Sequence, residues 1–178
     1  TDQDIILGLN EIAAGRRVRR DADLLALSEL LSADRTEELS KLIRSLSAGP
    51  DAAIPTTRAD AVLRERRSEF LELVPTLYDP ADIEGHHRLR IATKRLRYSV
   101  ELFDETRRGE QKSTAERIAV MQDHLGDMHD CDVWVGTLRK GLKKYLKNSG
   151  APTPEFLAAE WLLGEFVRRR AKNYREAL

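Results

Sequence analysis

The sequence predicts an all-α protein built as one or more antiparallel helical bundles, and three observations carry that expectation. Nearly every long segment repeats its apolar residues with a period near 3.6, runs of alternating β-branched residues are missing, and proline-containing breaks fall at 48–57, 79–80 and 150–154. Taken in order, a first helix is expected from Asp2 to about Arg20, with Ile5, Ile6, Leu9 and Ile12 apolar. Asp21 to Leu31 and Arg35 to Leu46 read as a helical hairpin turning at Ser32 to Asp34, closed by Gly49 and Pro50. A helix from about Arg58 to Leu77 carries Val62, Phe70, Leu73 and Leu77, and Pro75 must bend or end it near Val74 because proline removes a helical donor and crowds the preceding turn. Asp79-Pro80 starts a new element, followed by a helix from about Ala81 to Arg108 that Gly109 closes. Further helices are expected from Gln111 to His129, from Asp130 to Lys147, and from Glu155 to Ala177. The stretch Ala48 to Thr57 is the best linker, so the chain divides into residues 1–50 and 51–178.

Composition narrows the function classes. A chain of 178 residues with 41% hydrophobic and 34% charged residues suits one domain or two small packed halves, and no apolar run approaches the ~20 residues of a membrane span. The single cysteine, Cys131, excludes an internal disulfide framework and a cysteine-based zinc cluster. No positively charged, apolar leader opens the chain at Thr1, so the cytoplasm is the expected compartment. Net charge is zero, so affinity for a polyanion depends on where the charges sit. Arginines outnumber lysines 22 to 8, which favours bidentate recognition of phosphate or carboxylate, although solvated helices also use arginine.

A short internal repeat links the two ends. Asp2-Gln3-Asp4-Ile5 with Gly8 recurs as Asp130-Cys131-Asp132-Val133 with Gly136, each copy expected to open an amphipathic helix with acidic residues in its first turn. As a structural repeat, it implies that the chain begins inside the end of one copy and contains a complete second copy.

The most informative segment is His86-His87-Arg88-Leu89-Arg90-Ile91-Ala92-Thr93-Lys94-Arg95-Leu96-Arg97-Tyr98. Five of the twelve residues from His86 to Arg97 are Lys or Arg and none is acidic. At 100° per residue, His87, Arg90, Lys94 and Arg97 fall within a sector of about 80°. Leu89, Ala92, Leu96, Val100 and Phe103 form an apolar face on one side of this stripe, and Ile91, Tyr98 and Leu102 a second strip on the other. Apolar flanks on both sides suggest a helix packed on both sides, with its cations facing a shared groove or cavity. Four like charges within three turns repel, so an anion should meet them, and Glu101 alone does not suffice. A solvated or internally paired face is the competing account of the same stripe.

These residues carry a family resemblance. His87 through Tyr98, followed by Glu101-Leu102-Phe103, resembles the signature helix of the conserved histidine α-helical domain, the CHAD family. Met121-Gln122, Leu125-Gly126 and Asp130-Cys131-Asp132-Val133 are similar to that family's second motif. The resemblance covers about residues 56 to 147 well. It implies two similar helical bundles whose basic helices line a cationic cavity that binds inorganic polyphosphate, with binding and no catalysis, and no cofactor. It assigns phosphate contacts to His87, Arg90, Lys94 and Arg97. It also implies that residues 1–50 are helices from the end of the first repeat and its connection, that 51–178 form the second bundle, and that association with polyphosphate granules is open. No basic helix of the His-x-x-Arg kind precedes residue 80; Arg16-Arg17 and Arg19-Arg20 lack that frame. The first basic helix is therefore expected upstream, and a half-lined cavity should bind more weakly, pair with the missing half, or recruit a second chain as a homodimer.

Other constellations are less specific. Asp123 to Asp132 contains two His and four Asp, but on one helix His129 points about 140° from His124, so no metal site is expected. Asp123, Asp127 and Asp130 share a face. Gly126 is read as permitting close helix packing beside Ala115 and Ala119, with Gln122 and His129 bordering that face, and Cys131 as a structural thiol. Arg139, Lys140, Lys143 and Lys147 share one side of the following segment, and Arg139 and Lys143 are candidates to extend the cationic surface; favourable cations at a helix end explain them equally well. Nucleic acid should compete poorly, since base stacking needs exposed aromatics and only Tyr98 lies near the stripe. Two rival functions stand beside polyphosphate binding: a histidine phosphotransfer bundle using His87, and a purely structural helical adaptor.

Overall fold

The computed structural model describes residues 1–30, 36–38, 40–41, 56–104, 112–148 and 152–178. The turn at 32–34, the 48–55 part of the linker, the helix end at 105–109 and Gly150 lie outside them. The described residues are all-α, with no strand among them: α1 (Asp2–Leu30), helical backbone at 36–38 and 40–41, α2 (Thr56–Leu73), a 3-10 turn (Val74–Tyr78), α3 (Ile83–Asp104), α4 (Lys112–Asn148) and α5 (Pro154–Ala177). None of these helices is long and apolar enough to cross a membrane.

Two expected breaks are absent. α1 continues through Asp21 to Leu30, because no proline interrupts it and Asp21 accepts two hydrogen bonds from the neighbouring Arg20 guanidinium at 3.1 and 2.9 Å instead of capping a new helix. α4 likewise runs through Asp130 as a single helix of 37 residues. The second copy of the short repeat therefore lies mid-helix and opens nothing. Asp132, read as a helix-starting acid, is instead a partner for a distant arginine.

Other boundaries follow local chemistry. At Val74 the α-helix tightens into the 3-10 turn, with Pro75 inside its first two positions. Asp79 Oδ1 accepts from the Ala81 amide at 2.9 Å, and Asp82 Oδ1 caps α3 by accepting from the Gly85 amide at 2.8 Å. Gly85 is required there: a β-carbon would stand 2.1 Å from Asp82 Oδ2 and 2.8 Å from the Thr76 β-carbon.

The residues form two compact units, Thr1–Ala53 with Ala151–Ala159, and Ile54–Gly150 with Glu160–Leu178. In the smaller unit α1 meets the start of α5, where a β-carbon on Gly8 would collide with the Pro154 carbonyl. In the larger unit α2, α3 and α4 run antiparallel in sequence, and α5 returns antiparallel to α4. Its core joins Leu77, Leu89, Leu125, Met128 and Ala177, with Phe70, Leu73, Met121 and Tyr174 packed around them. The apolar face expected on α3 is buried at every position: Leu89, Ala92, Leu96, Val100 and Phe103. The second strip is not packed. Tyr98 is 50% and Leu102 62% exposed, and only Ile91 is partly covered. The cationic stripe thus lies between the core on one side and a largely open strip on the other, because α3 has its helix neighbours on the core side only.

Candidate functional site

The stripe meets a groove of about 810 Å³ between α3, α4 and α5, entirely within the larger unit. α3 contributes Arg90, Lys94 and Tyr98. Arg90 and Lys94 lie one turn apart and both are half-buried. The Arg90 Nε–H is buried and has no acceptor, an arrangement that costs free energy unless a ligand or water supplies one. Lys94 makes no hydrogen bond or ion pair with the described residues. The wall beside Arg90 is Gly126, where a β-carbon would meet nothing nearer than Arg90 Nε at 4.0 Å. Gly126 therefore does not serve the tight helix packing expected of it; the α3–α4 contact is made by Leu89, Leu125 and Met128, and Gly126 leaves room next to the guanidinium.

The other two stripe residues lie outside this groove's lining. His87 is half-buried, its Nδ1 3.2 Å from Nδ1 of His129, with ring centroids 4.7 Å apart, so one ring donates and the other accepts. Arg97 approaches Glu101 at 3.4 Å through Nε, without hydrogen-bond geometry, and its guanidinium carbon sits 4.9 Å from the Tyr98 ring centroid. The off-stripe Arg95 is committed elsewhere: it donates to Glu69 of α2 at 2.7 Å. Arg66 also donates to Glu69 and, as the larger influence, holds that carboxyl below its usual range. Arg139 and Lys143 are exposed on α4 and do not line the groove.

The facing helices add groups that the α3 pattern alone cannot reveal. α5 supplies Arg169, Lys172, Asn173 and Glu176, spaced i, i+3, i+4 and i+7 on one face; that spacing was the available signal for them. α4 supplies Gln122, Asp123, His124, Asp127 and Asp130. The groove is therefore of mixed charge, with four Lys or Arg and four Asp or Glu side chains among the described residues. Some of these charges are spent on each other. Arg169 donates to Asp127 at 2.9 Å, and His124 donates through Nδ1 to Asn173 at 3.0 Å with Glu176 3.8 Å from its other nitrogen. His124 and His129 thus turn to different helices, α5 and α3. What stays uncommitted is Arg90 Nε, Lys94 and Lys172 against Asp123 and Asp130, with the Gln122 carbonyl oxygen buried and unpartnered. Burial pushes the Cys131 thiol up, which suits a structural thiol in the core.

A second polar cluster in the same unit behaves in the opposite way. Arg170 donates to Asp132 at 2.5 Å, to the Pro80 carbonyl at 2.9 Å and to His86 Nδ1 at 3.3 Å. His86, 3% exposed, donates in turn from Nε2 to the Thr76 carbonyl at 3.2 Å, and Tyr174 donates to the Leu77 carbonyl at 2.5 Å. This arrangement requires a neutral His86 ring, and burial followed by the Arg170 charge pulls its pKa down. The cluster ties α5 to α4, to the 3-10 turn and to the start of α3, and so holds the far wall of the groove in place.

Comparison with known proteins is consistent with the motifs on α3 and α4. No curated protein and no solved structure was found to match the chain. The family model described as CHAD domain matches residues 4–139, more than half of the sequence and including the whole cationic stripe and the Gln122 to Val133 segment. The chain belongs to the CHAD domain family.

Proposed function

We propose that the larger unit binds inorganic polyphosphate, without chemically altering it, in the groove between α3, α4 and α5. The single observation that supports this most is the buried, acceptor-less Nε–H of Arg90 beside the unpaired Lys94. A phosphate oxygen satisfies the first as a charge-assisted hydrogen bond and neutralises the second. Lys172 on the opposite wall is placed to take a neighbouring phosphate of the chain, while His87 and Arg97 flank the groove along the same stripe. Membership of the family points to the same ligand. Asp123 and Asp130 oppose it, so affinity is a balance between the uncommitted cations and these two carboxylates. The phosphotransfer alternative fits less well, since the His87 imidazole is half-buried and engaged with His129. A pairing with a second copy or an upstream half, which would add cations, belongs to this proposal.

The test is calorimetric titration with polyphosphate of defined length at two salt concentrations, using wild type and single alanine variants at His87, Arg90, Lys94 and Arg97. Binding that weakens with salt, and weakens by about tenfold or more in Arg90→Ala, supports the assignment. Undiminished binding in all four variants removes it.

A further inference from the structure

A second groove opens on another face of the larger unit. α2 and α4 each pack along α3 and meet one another little, so a channel opens between them above the buried Leu96 and Val100 of α3. The resulting channel encloses about 860 Å³. Its floor is apolar and drawn from all three helices: Leu63 and Phe70 of α2, Leu96 and Val100 of α3, and Ile118 of α4. Leu63 and Phe70 are two turns apart, which gives the floor a length of about 10 Å. Leu71, on the rim, is 51% exposed. Three arginines stand around the floor. Arg64 donates to the Asp60 carbonyl at 3.3 Å, while Arg67 and Arg117 have no hydrogen bond or ion pair among the described residues. Among the described residues Asp60 is the one acid in the lining, so the described lining carries more positive than negative charge.

We propose that this groove is a docking site for an amphipathic helix with acidic flanks, contributed by another protein. Two ridges on either side of a channel form a seat that helix packing prefers, at interaxial distances of about 8–10 Å. An incoming helix with apolar residues at i, i+3, i+4 and i+7 would cover the part-exposed Leu63, Phe70 and Ile118 and the exposed Leu71. The unpaired Arg67 and Arg117 stand on opposite banks, on α2 and α4, so carboxylates on both flanks of the helix find partners and a basic helix is repelled. Among the described residues this groove shares no lining residue with the one assigned to phosphate, so both can be occupied together.

The probe is a synthetic, fluorophore-labelled amphipathic helix of about 16 residues with leucines at that spacing and glutamates on its flanks, alongside the same peptide with lysines for glutamates. Anisotropy is read on wild type and on the double variant Arg67→Glu with Arg117→Glu. The glutamate peptide is expected to bind wild type, to lose roughly tenfold or more in affinity on the double variant, and to be undisturbed by polyphosphate. The lysine peptide is expected to prefer the double variant, a gain that a misfolded protein cannot produce. Equal binding of both peptides to both proteins overturns the proposal, as does displacement of the glutamate peptide by polyphosphate. It is also overturned if wild type sediments as a dimer that the double variant converts to a monomer, which gives the groove to a second copy, or if dodecanoate binds there and the glutamate peptide does not.

Discussion

Two arginines in the larger unit, Arg90 and Arg170, are both half-buried on helices and have opposite fates. Arg170 places Nε, Nη1 and Nη2 on three different acceptors, Asp132, the Pro80 carbonyl and His86. Arg90 lines a groove, and its buried Nε–H has no acceptor. Counting cations along the sequence does not separate them; the acceptors that folding brings to each one do. A saturated guanidinium stabilises the fold, whereas a buried donor left unmet costs free energy, which on the proposed function a phosphate ligand relieves.

The comparison breaks most visibly at the saturated end. Arg170→Ala strands Asp132 with little solvent, since the two side chains are 15% and 10% exposed, and is expected to cost about 3 kcal/mol in urea unfolding. The double variant with Asp132→Ala should recover part of that loss, because no buried charge is then left alone. Arg90→Ala should do the reverse: stability holds or rises slightly as an unmet donor is removed, while polyphosphate affinity falls by about tenfold or more.

The pH response sharpens the contrast. His86 has a folded pKa below its ordinary value of about 6.5, so the unfolded chain takes up the proton first. The stability linked to neutral His86 is present above that pH and is lost as pH falls through the lower folded value. The urea midpoint should therefore drop on acidification from about pH 7.5 to 5, with a shallower slope in His86→Gln.

Smaller effects belong to the groove. Replacing Asp123 and Asp130 by Asn removes two uncommitted carboxylates from the lining, and polyphosphate affinity should rise by a few fold at low salt and less at high salt. Gly126→Ala should stabilise α4 by about 0.5–1 kcal/mol through helix propensity, since the added methyl meets no wall, while slightly lowering phosphate affinity by crowding Arg90.

Much of the fold was legible because helical periodicity is local. The buried face of α3, the stop at Pro75 and the position of α5 follow from spacing and breakers within a few residues. The continuous α4 was harder, since acids at Asp130 and Asp132 look like a helix start. Their true role depends on Arg170, 38 residues away, which spacing along one helix cannot reveal. The site was half legible for the same reason. The helix wheel aligned Arg90 with Lys94, but which cations stay unpaired is decided by Glu69 reaching Arg95, by His129 reaching His87, and by the rotation that turns Asp123, Asp127 and Asp130 toward the stripe. The periodic face Arg169, Lys172, Asn173 and Glu176 was present in the sequence, yet its partner helix was not.

The most direct test of the central claim is a proton–nitrogen NMR spectrum of the arginine Nε–H groups, recorded during titration with polyphosphate. The Arg90 resonance should move downfield and exchange more slowly with water as a phosphate oxygen arrives, while the Arg170 resonance stays where it is. A spectrum in which Arg90 does not respond, or in which Arg90 and Arg170 move together, contradicts the assignment of one arginine to the ligand and the other to the fold.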